Sequence, residues 1–152
     1  MDRKVAGFSL FELLIIIAIV SFLMYIGYSQ YTKYKADREL MRQANQLADD
    51  IGWIKSQSIS KEPHGMVINL DNYTLFKDID GNCSFTAQDK IISVVNFMNG
   101  ITNSSITIFV FDRKGYPRDS NCGIGASGVT LKNTNNNQKI ININKYGRIQ
   151  IQ

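Results

Sequence analysis

The sequence is poor in the residue types that build catalytic and metal sites. Among its 152 residues it has one histidine, His64, and two cysteines, Cys83 and Cys122. One imidazole and two distant thiols do not complete a zinc site, and the cysteine spacing is not that of a CxxC redox motif. No nucleophile and general base can be read around His64. We therefore expect no enzyme active site, no metal and no cofactor, and we interpret His64 as a loop residue.

The excess of one charge sign over the other is also small. The chain has 17 basic and 13 acidic residues, which gives a formal net charge of +4. A domain that binds nucleic acid usually has a more one-sided charge, so an ordinary solvated surface is the simpler interpretation. Only two prolines occur, Pro63 and Pro117. Both lie beyond the N-terminal region, which is therefore free to form a long helix.

What the chain does have is a nearly unbroken apolar run from Phe8 to about Tyr28. A helix needs about 20 apolar residues to cross a bilayer, so this run is long enough. Arg3 and Lys4 precede it, and the positive-inside rule then predicts a cytoplasmic N-terminus, with the rest of the chain on the outer side of the membrane. A cleaved secretory signal has its small-residue cleavage site after the apolar region, whereas Gly7 stands before it here.

One carboxylate, Glu12, interrupts this run. An ionised side chain at the centre of a membrane helix costs about 2.5–3.5 kcal/mol, and less near its end, so a partner is expected. A cut between Gly7 and Phe8 would create an α-amino group on Phe8, four residues from Glu12 and on the same helix face. The alternative is that Glu12 lies at the membrane interface and reaches into the lipid headgroups.

The residues at 7–13, Gly-Phe-Ser-Leu-Phe-Glu-Leu, resemble the cleavage and methylation motif of type IV pilins and type II secretion pseudopilins. The resemblance implies that a prepilin peptidase cuts after Gly7 and N-methylates Phe8. It also implies that Glu12 pairs with the N-terminal amine of a neighbouring subunit during filament assembly. The motif combines residue type, spacing and an adjoining apolar helix, which makes it specific.

A helical pattern continues beyond the apolar run, where Leu40, Leu47 and Ile51 belong to a series of apolar residues at intervals of three and four. We predict one helix from about 8 to 60, ended by Pro63. The chain then divides into a cleaved leader (1–7), a transmembrane helix (8–29), a helix extension packed on the head (30–62) and a β-rich head (63–152).

The remainder of the sequence has the pattern of short strands. Alternation and turn residues predict strands at 66–70, 73–77, 91–95, 106–111, 129–131, 139–143 and 148–151. We place a two-residue turn at Asp71-Asn72. The predicted fold class is α+β, with one long N-terminal helix packed on an antiparallel β-sheet head. With the turn segments 76–82, 111–117 and 144–149, this arrangement resembles the GspH/FimT-type minor pilins and pseudopilins.

Both cysteines, Cys83 and Cys122, lie on the outer side of the membrane in the predicted topology. In an oxidising periplasm two such thiols most often form a disulfide. A disulfide that closes a loop of this size contributes about 4 kcal/mol in the chain-entropy model. Two free thiols are the alternative.

A cluster of acidic and amide side chains could hold a calcium ion, because Ca²⁺ prefers oxygen ligands. Its members are Asp78, Asp80, Asn82 and Asp89. No glutamate stands at the spacing that the EF-hand requires. We therefore interpret the cluster as an Asx-rich turn.

Basic residues near the C-terminus could face DNA, which requires several such side chains on one surface. They are Lys132, Lys139, Lys145 and Arg148. Some FimT-type proteins bind DNA through a Gly-Arg-x-Arg motif, and the residues at 147–150 are Gly-Arg-Ile-Gln. The second arginine is missing, so DNA binding is not favoured.

Aromatic residues gather after the apolar run, and aromatic side chains favour the membrane interface. They are Tyr25, Tyr28, Tyr31, Tyr34 and Trp53. We interpret them as interface anchors.

The resemblance implies a non-enzymatic minor pilin or pseudopilin that assembles into, primes or caps a type IV pilus or a type II secretion pseudopilus. A DNA-binding minor pilin for uptake in natural transformation is the alternative. Expected partners are a prepilin peptidase, other pilin or pseudopilin subunits, an inner-membrane assembly platform and the lipid bilayer. The expected location is the bacterial inner membrane, with a single pass and a periplasmic head, and then the pilus or pseudopilus.

Overall fold

One helix and nine strands make up the part of the chain that the computed structural model describes, residues 9–152. The helix is α1 (Leu10–Ser60). The strands are β1 (His64–Ile68), β2 (Asn72–Lys77), β3 (Lys90–Asn96), β4 (Thr102–Asn103), β5 (Thr107–Phe111), β6 (Pro117–Arg118), β7 (Ser127–Lys132), β8 (Gln138–Ile143) and β9 (Ile149–Ile151).

By its internal contacts the chain divides after Lys35. In the described part of the first unit, residues 10–35 are helical and every side chain among them is exposed. By length and composition the helix contains a segment that could cross a membrane. The second unit, Ala36–Gln152, contains the remainder of α1 and all the strands; we call it the head.

The head contains two antiparallel sheets. Sheet A has five strands in the order β3-β2-β1-β5-β6, and sheet B has four in the order β4-β7-β8-β9. The predicted α+β fold, with a long helix on antiparallel strands, is confirmed. The division of the strands into two sheets was not predicted.

The hydrophobic core of the head lies between α1 and both sheets. From the helix, Leu47 and Ile51 are fully buried at the spacing that the sequence predicted. Sheet A contributes Phe109 and sheet B contributes Leu131 to the same cluster. Burial of apolar surface stabilises the folded state by about 25 cal/mol per Å² removed from water. The shared core therefore holds both sheets against one face of the helix.

The start of the strand region differs from the prediction. The first strand covers His64–Ile68, and the tight turn spans 69–72, closed by the backbone N–H of Asn69 donating to the Asn72 carbonyl at 2.8 Å. The side chains of the same two asparagines also bond, at 2.8 Å. Leu70 and Asp71 therefore form the tip of the turn and Asn72 already belongs to β2. The predicted strand at 66–70 and the turn at Asp71-Asn72 were misplaced.

His64 is also corrected, because it is a buried strand residue and not a loop residue. Its backbone N–H donates to the Ser58 hydroxyl oxygen at 3.0 Å. Its ring meets Trp53 edge-on, with 6.4 Å between ring centroids. The end of α1 therefore supplies the contacts that start β1.

Candidate assembly site

The N-terminal motif is described from Ser9 onward; Gly7 and Phe8 lie outside the described residues. Ser9 caps α1, since its hydroxyl oxygen accepts from the backbone N–H of Phe11 at 3.3 Å. Glu12 stands three residues after the cap, in the first turn of the helix. A carboxylate there is favoured by the helix dipole and fits the capping-box pattern. The spacing Ser-x-x-Glu was readable in the sequence, and it places Glu12 where the helix dipole favours a carboxylate.

The apolar side chains after Glu12 have no cover within the described part of the first unit. Leu13, Ile17 and Phe22 are all more than half exposed. Surfaces of this size that stay apolar mark contact with lipid or with another protein. The predicted interface tyrosines are likewise exposed: Tyr25, Tyr28, Tyr31 and Tyr34.

Trp53 does not belong with those tyrosines. It lies in the head, 43% exposed, where it contacts His64 and borders a groove that Asp50, Ile92 and Val95 also line. The Asp50 carboxylate accepts from the Tyr73 hydroxyl at 2.5 Å. Burial, with this carboxylate beside it, raises the pKa of Tyr73. The interpretation of Trp53 as a membrane anchor was wrong.

The two cysteines are joined in the structure. Cys83 in the loop after β2 and Cys122 in the loop after β6 form a disulfide with 5.3 Å between their Cα atoms. The Cys83 side covers the outer face of sheet A, where it packs with Val67, Phe76 and Val110 in a second buried cluster. The bond thereby ties two long loops to one sheet.

The acidic cluster in the loop after β2 closes that loop on itself. Carboxylate oxygens of Asp78, Asp80 and Asp89 lie within 4.8 Å of one another. Asp78 accepts from the backbone N–H groups of Gly81 and Cys83, at 2.8 and 3.1 Å. Burial raises the pKa of Asp78. These backbone bonds explain the carboxylates as parts of an Asx-rich turn, and we assign them no ion.

Near the start of the head, α1 is fastened to the turn between β7 and β8. One oxygen of Asp37 accepts from the side-chain amides of Asn133 and Asn137, both at 2.7 Å. The side-chain carbonyl oxygen of Asn133 in turn accepts from the backbone N–H groups of Asn135 and Asn137, at 3.0 Å each. We call Asp37, Asn133 and Asn137 the asparagine latch.

Near the end of α1, two glycine turns meet on the helix. The Lys55 ammonium donates to the Gly147 carbonyl at 2.7 Å. Gly115 and Gly147 both have positive φ, +79° and +73°. A Cβ at Gly147 would collide with the Gly115 carbonyl oxygen, and one at Gly115 would lie 2.9 Å from Ile59. These turns are the segments 111–117 and 144–149 that carried the resemblance.

Asp112 holds the first of these turns together. Its carboxylate accepts from the backbone N–H groups of Lys114 and Tyr116, at 2.9 Å each, and from Arg118 at 2.7 Å. Burial acts to raise the pKa of Asp112, but these donors and the Arg118 charge outweigh it and hold the pKa below its usual value.

The structure does not bring the four basic residues near the C-terminus together. Lys132 lies opposite Gln138 and Lys139 opposite Leu131, so the two lysines leave opposite faces of sheet B. Lys145 and Arg148 lie in the turn after β8. Lys139 and Lys145 are six positions apart along β8 and the turn after it, which is about 20 Å at about 3.3 Å per residue. A continuous phosphate contact is not supported by this arrangement.

Comparisons with known proteins find matches to the N-terminal motif and to the fold. Residues 2–27 match the model of the prokaryotic N-terminal methylation motif. The fold is similar to a crystal structure of the type IV minor pilin FimU of Pseudomonas aeruginosa, with a TM-score of 0.56 and 14% identity over 78% of this chain and 92% of that one.

It is also similar to the minor pseudopilin EpsH of the Vibrio cholerae type 2 secretion system, with a TM-score of 0.55 and 9% identity. That match covers 75% of this chain and 96% of the other. No curated protein sequence matches this chain. The chain thus has the N-terminal motif of prepilins and the fold of type IV minor pilins and type II pseudopilins.

Proposed function

We propose that this protein is a non-enzymatic minor pilin or pseudopilin that enters a type IV pilus or a type II secretion pseudopilus. The observation that carries the proposal is the combination of an apolar helical segment whose side chains are all exposed, within residues 10–35, and a head that packs its own core. The helix needs a bilayer or neighbouring helices to cover it. The head already has a core of its own, so its outer surface is free for subunit contacts.

In this proposal the helix first anchors the chain in the inner membrane, with the head in the periplasm. Prepilin peptidase cuts after Gly7 and methylates the amine of Phe8. An assembly platform then moves the subunit into the filament, where its apolar helix exchanges lipid for the helices of other subunits. The Cys83–Cys122 disulfide fits the oxidising side of that membrane.

Two roles are considered for Glu12, one at the helix N-terminus and one in pairing with a neighbouring subunit. Each role predicts that a different variant fails to enter filaments. As a carboxylate in the first turn of α1 it stabilises the helix N-terminus by about 0.3–1 kcal/mol. As a partner for the amine of a neighbouring subunit it neutralises a charge in a medium of low dielectric constant, where losing one partner is costly. The second task requires the negative charge itself.

The test compares Glu12→Gln with Ser9→Ala in the bacterium that makes the protein. We expect both variants to be cleaved, because the Gly7–Phe8 junction is intact. Glu12→Gln should reduce recovery in sheared filaments at least about tenfold, the effect of about 1.4 kcal/mol, whereas Ser9→Ala should enter nearly normally. Normal incorporation of Glu12→Gln would rule out the charge pairing.

A further inference from the structure

Three loops converge at one end of the head around an open cleft of about 310 Å³. The cleft is lined by Tyr116 after β5, Ile124 after β6, and Lys145 and Tyr146 after β8. Ile124 is 56% exposed and Tyr146 is 64% exposed. Exposed tyrosine and aliphatic side chains around a concavity are typical of protein interfaces. We call these four residues the tyrosine cleft.

The surroundings of the tyrosine cleft are basic. The Lys145 ammonium lies 5.1 Å from the centre of the Tyr146 ring. Lys114 and Arg148 are exposed in the same two turns, and the Lys55 ammonium reaches the Gly147 carbonyl beside them.

The carboxylates of these loops are already engaged. Asp112 is bound to Arg118, at 2.7 Å. The Asp119 carboxylate accepts from the backbone N–H groups of Asn121 and Gly123, at 2.9 Å each. Arg118 neutralises Asp112, whereas Asp119 keeps its negative charge. Lys114, Lys145 and Arg148 outnumber it, so the net charge near the cleft is positive, which favours an acidic partner.

We propose that the tyrosine cleft docks an acidic segment of another pilin-type subunit, whose large apolar side chain enters between Tyr116 and Tyr146. This rests on the proposed function, which supplies the partner. The apolar lining suits one inserted side chain, and the flanking cations suit carboxylates on either side of it. Nucleic acid fits less well, because the other basic residues do not extend this surface. Lys139 lies about 20 Å away along β8, and Lys132 leaves the opposite face of sheet B.

The test uses the full chain in detergent micelles and fluorescent capped peptides. The probe is Glu-Asp-Phe-Asp-Glu, and its controls replace phenylalanine by alanine or the four acids by lysine. We expect the probe to bind about tenfold tighter than either control, which is about 1.4 kcal/mol. Tyr146→Ala and Lys145→Glu should each weaken it about fivefold or more.

Lys90→Glu is the matched variant, since it makes the same charge change on β3, at the opposite edge of sheet A from β6. It should bind the probe like the unaltered chain. Both Tyr146 and Lys145 are exposed, so unchanged thermal unfolding should show that their variants remain folded.

Four results would overturn the docking proposal. They are no saturable binding, equal binding of the phenylalanine and alanine peptides, an equal loss in Lys90→Glu, or tighter binding of a 20-base-pair DNA duplex that the cleft variants abolish. Peptide binding needs neither cleavage nor assembly. A chain that binds the probe but never enters a filament would therefore contradict the proposed function, and with it the pilin-type partner, while binding of an acidic segment in the tyrosine cleft would still be shown.

Discussion

At the scale of single residues, the glycines of the turns 111–117 and 144–149 explain why these short segments are typical of one fold. Gly147 has a left-handed backbone and also touches the Gly115 carbonyl, so it faces two constraints at once. Gly81 has a similar φ, +70°, but open space around it. Comparing the two glycines therefore separates the cost of a left-handed backbone from the cost of a steric collision.

Gly81→Ala should cost about 1–2 kcal/mol, since only the left-handed backbone is penalised. Gly147→Ala should cost a further 1–3 kcal/mol or so, because the new methyl group must push the Gly115 turn away from Lys55. Denaturant unfolding of the full chain in detergent, followed by near-ultraviolet circular dichroism, measures both. Equal losses in the two variants would show that the Gly115–Gly147 contact contributes nothing.

At the scale of elements, α1 is fastened to the strands by polar contacts at two levels. The asparagine latch binds the β7–β8 turn, and Lys55 binds the β8–β9 turn. Both turns belong to sheet B, whose strands also pack on the helix through the shared core. Sheet B is thereby held at both ends of the head's helix.

Asp37→Ala should loosen the β7–β8 turn, because buried Asn133 loses its acceptor. We expect a loss of about 1–3 kcal/mol, with Asp37→Asn losing less because an oxygen acceptor remains. Amide hydrogen exchange measures the effect locally. It should accelerate at 133–137 and stay unchanged in the disulfide-bonded loop at 78–83. Unchanged exchange at 133–137 in Asp37→Ala would contradict the latch.

The same elements show what the sequence could predict. Helical periodicity reveals which face of α1 is buried, since Leu40, Leu47 and Ile51 recur locally along the chain. It does not reveal sheet partners, which depend on distant residues. Lys55 and Gly147 are 92 residues apart, and Asp37 and Asn133 are 96 apart. The two-residue strands β4 and β6 carry too little pattern to be predicted at all.

At the scale of the whole molecule, the first unit offers apolar surface and the head offers specific contacts. The exposed helix is suited to any apolar environment, whether lipid or the core of a filament. Selectivity for particular neighbours must then come from head surfaces such as the tyrosine cleft. This division of roles fits a sequence that has one long apolar run, a small net charge and no readable catalytic motif.

The most direct test of this account is the mass and sequence of the mature N-terminus of the chain recovered from sheared filaments. We predict that the chain begins at Phe8 and carries one added methyl group on its amine, with the apolar helix retained. A chain that still begins at Met1, or one cut after the apolar run, would contradict the account.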